Sequence, residues 1–284
     1  MLYIAAITPR DGHGEIEMGA VFELVDYLSA ALGRGSGAIA LFDAAGEYPL
    51  LTVDERSRTL RLAVKRSRVP VLAGVGGGTF DISLQLGREA RDAGAEAVLV
   101  PPPYFYPYRR DDVREFYLQF SSQLQGVGIY LEHLPAFTTG IEVEIAKELI
   151  ATGRFAGIVD TTGEHAAAGL PAVMANDRLF ARARCAGAPV LSAAACAVPE
   201  LMRALDAAVA SSNTNEIERL NARLQELLDW FDLFPPFALL RVATSLRKIK
   251  TGPLSIPLTA EKERKLGEFK EWFRTWNSET ADKR

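Results

Sequence analysis

From the amino terminus to about residue 200, short apolar runs alternate with longer segments in which apolar positions recur every three or four residues. A short apolar run between turn-forming residues predicts a buried strand, and the longer recurrence predicts an amphipathic helix. Strands are predicted at 3–8, 38–43, 69–75, 97–101, 127–133, 156–161, 178–181 and 190–193. Helices are predicted at 18–32, 53–66, 82–93, 111–124, 142–151 and 199–210. Eight strands alternating with helices are the signature of repeated β-α units around a parallel sheet.

Thr52 and Glu55 have the spacing of a capping box, which marks the start of the second helix. Gly33, Gly94 and Gly153 stand where helices should end, a position that favours a left-handed residue. Beyond residue 210 the pattern changes to three helices without strands, at 215–233, 237–250 and 259–276. Pro235-Pro236 and the segment 251–257 separate them, because proline lacks the amide that a helix interior needs. No linker rich in Pro, Gly or Ser precedes this tail, so residues 1–210 and the helical extension 211–284 are expected to form one packed domain.

Composition narrows the classes of function. With 48% hydrophobic and 24% charged residues the chain has the make-up of an ordinary globular protein. A formal net charge of −4 gives no basis for binding nucleic acid or an anionic membrane, so a small-molecule ligand is the expected partner. The two cysteines, Cys185 and Cys196, have neither metal-type spacing nor nearby histidines, so no disulfide framework, metal or cofactor is expected. The start of the chain has no basic leader and no stretch of 18 apolar residues follows, which points to a cytoplasmic protein.

A series of local motifs runs along the chain in a fixed order: Ile7-Thr8-Pro9-Arg10-Asp11 with Gly14-Glu15-Ile16, Asp43-Ala44-Ala45-Gly46-Glu47, Leu51-Thr52 with Glu55-Arg56, and Pro70-Val71-Leu72-Ala73-Gly74-Val75-Gly76. Ala93-Gly94-Ala95, Pro103-Tyr104-Phe105 and Leu134-Pro135-Ala136-Phe137-Thr138 continue it. The series resembles the dihydrodipicolinate synthase and N-acetylneuraminate lyase family over nearly the whole chain. That resemblance implies a (β/α)₈ TIM barrel with a C-terminal three-helix extension, assembling as a homo-oligomer, a dimer or tetramer. Barrels of this kind carry their sites on loops at the carboxyl ends of the strands, and fold alone does not fix the reaction.

The resemblance also implies where the chemistry should lie. The family's sixth strand ends in a motif like Ile-Lys-Asp-Ser-Ser-Gly-Asp, whose lysine forms a Schiff base with a pyruvate-type carbonyl. Here the segment is Ile158-Val159-Asp160-Thr161-Thr162-Gly163-Glu164, with Val159 at the lysine position. Lys65 and Lys147 fall on predicted outer helices and the other lysines lie from Lys248 onward. Aligning on Pro135 places Glu132 at the position of the family's proton-shuttling tyrosine and His133 at that of the following asparagine. Tyr130 shares the inward face with Glu132 but lies about 7 Å deeper along the strand. Ala44 and Ala45 stand where paired threonines hold the substrate carboxylate, and Asp43 adds a negative charge beside them. Phe105 replaces the second tyrosine of a pair that completes a relay across a subunit contact, flanked by Tyr104 and Tyr106. Only about thirty residues separate Gly163 from the 190–193 strand, so the helix after the seventh strand is expected to be curtailed by about two turns.

Glu132 and His133 are thus the candidate catalytic acid-base pair, with Asp43, Ala44, Ala45, Tyr104, Tyr130, Asp160 and Ser192 the candidate substrate-binding residues. Adjacent strand residues point to opposite faces, however, so Glu132 and His133 need not meet. A carboxylate-rich gathering of Asp43, Glu132, His133 and Asp160 at the strand ends, able to take a hard cation, is a variant of the same reading. Asp160 has a plainer role open to it, since the residue after the lysine tends to be acidic in the family.

The plainer reading wins elsewhere. Gly76-Gly77-Gly78 lacks the lysine and spacing of a phosphate loop and reads as a β-α turn. Cys196 reads as a small buried thiol, His13 and His165 as turn or surface residues, and Trp272, Phe273 and Trp276 as a helix face docking on the barrel. Two functions stay open: a lyase-like enzyme working on a hydroxy or keto acid without an imine, and a noncatalytic small-molecule binder or regulatory pseudoenzyme.

Overall fold

The computed structural model describes residues 1–33, 35 and 37–281. The chain runs through β1 (Leu2–Ala5), α1 (Met18–Leu32), β2 (Gly37–Leu41), α2 (Val53–Arg66), β3 (Val71–Gly74), α3 (Phe80–Ala93), β4 (Ala97–Val100), α4 (Arg110–Gln123), β5 (Gly128–His133) and α5 (Val143–Ala151). It continues through β6 (Gly157–Asp160), α6 (Glu164–Ala167), β7 (Ala172–Met174), α7 (Phe180–Cys185), β8 (Val190–Ser192), α8 (Ala194–Ala197) and α9 (Pro199–Ala210). The tail is α10 (Thr214–Asp232), α11 (Ala238–Leu246) and α12 (Ala260–Ala281). The strands close in sequence order into a parallel barrel, β8 returning to β1, so the fold is the (β/α)₈ barrel.

Strand register decides which side chains fill the interior. Tyr3 and Tyr130 meet inside the barrel, and neighbours in register share a face. Tyr130 pairs with Leu99 and Gly157, and two residues on Glu132 pairs with Val159, itself opposite Val173. Tyr130, Glu132 and Val159 therefore point inward, whereas His133 and Asp160, paired one step further on, point outward to the helices.

The capping box of α2 forms as predicted, with Glu55 accepting from the Thr52 amide at 2.7 Å. The seventh strand is Ala172–Met174, not 178–181. Asn176 caps the backbone of Arg178, and the apolar Leu179-Phe180 pair enters a 3₁₀ turn (Asp177–Leu179) and then α7. The shortening expected after the seventh strand falls mainly on α6, a single turn of four residues.

The tail covers one side of the barrel. Phe269, Phe273 and Trp276 of α12 are buried, with Trp230 of α10 against Phe269 and Trp272. The buried guanidinium of Arg241 on α11 donates to the Thr8 carbonyl, to Thr251 and to Glu47, so it ties the tail to the β1 and β2 loops. Among the described residues no helix is long and apolar enough to cross a membrane.

Candidate active site

Two groups of chemistry-bearing side chains arise at the carboxyl ends of the strands, one inside the barrel and one outside it. The inner group begins with Glu132, 2% exposed, and Asp43, 4% exposed. Asp43 follows β2 after Phe42, whose φ of 60° breaks the strand alternation and re-aims the next side chain. Burial pushes the Asp43 carboxyl from 3.8 up to about 7, against hydrogen bonds from the Gly46 and Ala45 amides. Burial and then the neighbouring Asp43 push Glu132 from 4.5 up to about 8, opposed in part by Arg56. Two buried carboxyls raised toward neutrality in a dry site, Glu132 also by its neighbour, hold a proton near neutral pH, the condition for a general acid beside a general base. One oxygen of Glu132, Oε2, has no hydrogen-bond partner in the protein.

Tyr48, which the sequence did not single out, and Arg56, which it offered only as a motif residue, frame this pair. Tyr48 lies on a short 3₁₀ turn after β2, and a side chain at Gly76 would collide with its ring, a Cβ there falling 2.6 Å from Cζ. Glycine at 76 is what admits the tyrosine to the barrel mouth. The ring is 4% exposed, meets Tyr104 edge-on at 5.8 Å and lies under Arg56 at 5.1 Å. Arg56 in turn donates to the Gly76 and Gly74 carbonyls at 2.6 and 2.8 Å, so the triple glycine is a β-α turn fixed by a buried cation.

Over this floor opens a pocket of about 310 Å³, lined by Ala44, Tyr48, Tyr104, Leu134, Phe137 and Phe237 among others. Its walls are mainly apolar and neither Asp43 nor Glu132 reaches them. A second pocket, of about 560 Å³, lies over β6 to β8, with Thr161, Asn176, Asp177 and Arg178 in its wall. Phe137 and Phe237 line both pockets, and their rings lie 6.3 Å apart, as a partition across the barrel mouth.

The other predicted residues separate. Ala45 is buried, and Tyr130 lies deep in the barrel against Tyr3. Ser192 points outward from β8, accepts from the Ala195 amide at 3.0 Å and hydrogen-bonds Asp177, whose carboxyl burial pushes up. Phe105 is 85% exposed. Cys196 is buried, its thiol pushed up to about 11 by desolvation, which suits a packing residue and not a nucleophile.

The outer group corrects two expectations. Glu132 and His133 are not brought together, because consecutive residues of β5 face opposite ways; the four-residue gathering with Asp43 and Asp160 is divided for the same reason. His165 is not at the surface but fully buried, its ring 4.5 Å from that of His133. Asp160 caps α6: Oδ1 accepts from the Thr162 amide and hydroxyl and the Gly163 amide, Oδ2 from the His165 and Ala166 amides. Burial alone would raise this carboxyl, but His165 and these amides hold it well below the usual range.

Ligand atoms of His133, Asp160 and His165 lie within 4.8 Å of one another, a metal-type trio by residue kind. The lone pairs of His133 and Asp160 do not fit that use. His133 Nδ1 accepts from the Ile141 amide at 3.0 Å, which leaves the proton on Nε2, and both Asp160 oxygens are taken by amides. Asp160 and the histidine pair are a structural knot behind the strands.

The geometry sets an inward β6 residue, Val159, beside Glu132 at the mouth of a parallel barrel, a fold that known proteins share. The family model described as "Dihydrodipicolinate synthetase family" matches residues 2–274. The 4-hydroxy-tetrahydrodipicolinate synthase of Pseudomonas putida is 32% identical over 170 residues, 58% of this chain and 56% of that protein, so the match spans little more than half of the relative. The enzyme of the same name from Alkaliphilus oremlandii is 27% identical over 281 residues, 92% of each chain. The crystal structure of dihydrodipicolinate synthase from Bacillus anthracis superposes with a TM-score of 0.85 at 23% identity, covering 95% of this chain and 97% of that one, which speaks for the fold alone. With the family model running from the first strand into the last helix, the chain belongs to the dihydrodipicolinate synthetase family.

Proposed function

We propose that this barrel is a lyase-like enzyme that handles a small hydroxy or keto acid without forming an imine, through the carboxyl pair of Glu132 and Asp43. The observation that carries the reading is the pair itself: two inward, desolvated carboxyls holding a proton near neutral pH beside Val159. A neutral Glu132 can donate to a substrate carbonyl or leaving hydroxyl while an ionised Asp43 takes a proton from the adjacent carbon. Val159 offers no lone pair, so no covalent bond to a carbonyl can form there.

Tyr48 and Tyr104 stand between the carboxyls and the 310 Å³ pocket, so substrate entry requires the Tyr48 ring to move aside. The apolar walls of that pocket favour a second reading, a noncatalytic binder of a small, weakly charged ligand. Exposed Leu50, Phe105, Tyr106 and Phe137 near the same mouth support self-association as a dimer or tetramer.

The two readings separate in one experiment. Short 2-keto and 2-hydroxy acids are incubated with the protein in D₂O and loss of the proton signals on C3, the carbon next to the carbonyl or carbinol, is followed by NMR. The enzyme reading expects exchange that Glu132→Gln abolishes. Binding detected by calorimetry with no exchange for any acid supports the binder instead.

A further inference from the structure

The loop from Leu134 to Glu142 carries Phe137, half of the partition across the mouth, and its far end is held by an unusual clamp. Both backbone groups of Ile141 are taken by histidine rings: its amide donates to His133 Nδ1 at 3.0 Å, and its carbonyl lies 2.9 Å from His165 Nε2. Gly140 lets the chain pass close to the ring, since a Cβ there would already lie 3.4 Å from His133 Cε1. The loop is also tied by a turn on the Leu134 carbonyl, a bond from the Tyr108 amide to Thr139 at 3.1 Å, the Arg110–Glu142 ion pair at 3.5 Å and the buried side chains of Leu134 and Ile141. Nothing in the proposed acid-base chemistry uses these two histidines.

We infer that His133 is a proton-operated latch on this loop: with Nδ1 bare it accepts the Ile141 amide and holds Phe137 against Phe237, and on protonation it releases both. The reason is donor counting. A neutral His133 that accepts at Nδ1 carries its proton on Nε2, which lies 3.0 Å from Glu164 Oε1 but out of line with it. A second proton has only Nδ1 to occupy, where it meets the Ile141 N–H head-on, and two donors 3.0 Å apart repel. The ring or the loop must then move, and the ring stands on a paired barrel strand whereas the loop lies outside the sheet.

The titratable groups facing His133 are Asp160 at the end of β6 and Glu164 and His165 on α6; α5 and the loop present only the backbone of Ile141. Burial and the facing His165 hold the ring below its usual 6.5, against the pull of Glu164 and Asp160. The latch is therefore closed at neutral pH and opens on the acid side. Opening would withdraw Phe137 from Phe237 and join the smaller pocket to the larger one over β6 to β8.

Amide hydrogen exchange of the intact protein, followed by NMR between pH 5 and 8 and corrected for the intrinsic rate, tests this. Protection of the Ile141 amide should fall by about tenfold or more toward pH 5 in the wild type. In His133→Asn it should stay flat, because asparagine places an acceptor oxygen where Nδ1 stands but cannot be protonated there. The chain has only three histidines, so imidazole NMR of the wild type gives an independent check should the variant fold poorly. Loss of Ile141 protection should track protonation of His133. A flat wild-type profile, an unchanged profile in His133→Asn, or a loss of protection out of step with His133 would each overturn the latch.

Discussion

Replacing Glu132 with glutamine should flatten the alkaline decline of stability that the inner carboxyls impose. In the folded chain Glu132 is fully buried and its carboxyl is raised from 4.5 to about 8 by desolvation and by Asp43. A raised carboxyl favours the protonated fold. Its stabilisation is complete below the unfolded value of 4.5 and is lost as pH rises through about 8. At about 1.4 kcal/mol for each factor of ten, the rise corresponds to roughly 5 kcal/mol across that window. Part of it belongs to the Asp43 pair and is shared with the parallel rise of Asp43 to about 7, so a loss of about 3 kcal/mol is assigned to Glu132 alone. The glutamine keeps the shape and cannot ionise. Urea unfolding at intervals from pH 5 to 9 should show the wild type losing stability steeply and Glu132→Gln losing about 3 kcal/mol less. Parallel curves for the two proteins would refute the burial of an ionisable pair in the barrel.

Asp160→Asn replaces an acceptor of several amide hydrogen bonds with a group that turns one donor toward them, and should destabilise the fold by about 2–3 kcal/mol at pH 7. Because this carboxyl is depressed, its contribution is present above the unfolded value of 3.8 and fades as pH falls, so the gap between the two proteins should narrow in acid urea titrations. Arg241→Met removes the buried donor to the Thr8 carbonyl and one of the two arginines on Glu47, Arg10 remaining at 3.4 Å, and should cost about 2–4 kcal/mol in chemical unfolding, with the tail loosening first in hydrogen exchange. A loss below about 1 kcal/mol would mean the tail is held by its aromatic face alone.

Much of this was legible because the barrel repeats one local rule. The apolar runs of β1 to β6 and β8 are too short and too continuous for surface helices, and those of β1 to β5 and β8 are followed by helical periodicity, with caps such as Thr52 and Thr79. Ala172-Val173-Met174 escaped because three residues after a proline carry almost no pattern, whereas Leu179-Phe180 carry an apolar signal that a 3₁₀ turn and a helix use instead. The inward face of Glu132 followed from strand parity, but the arrival of Asp43 beside it depends on the positive φ of Phe42, which no periodicity reports. Tyr48 and Arg56 were hidden for a related reason: their burial is created by Gly76, a residue from the next β-α unit. His165 follows the polar Gly163-Glu164 pair and precedes alanines, and only the single turn of α6, drawn in by Asp160, takes it into the interior.

The claim that this family barrel works without an imine is tested most directly by incubating the protein with pyruvate and borohydride and measuring its intact mass. The account predicts the mass of the unmodified 31.0 kDa chain after reduction, since Val159 has no amine and the inner site holds only carboxyls, tyrosines and a guanidinium committed to backbone carbonyls. A stable pyruvate adduct mapping to a lysine would contradict it, and would move the chemistry from Glu132 and Asp43 to an amine.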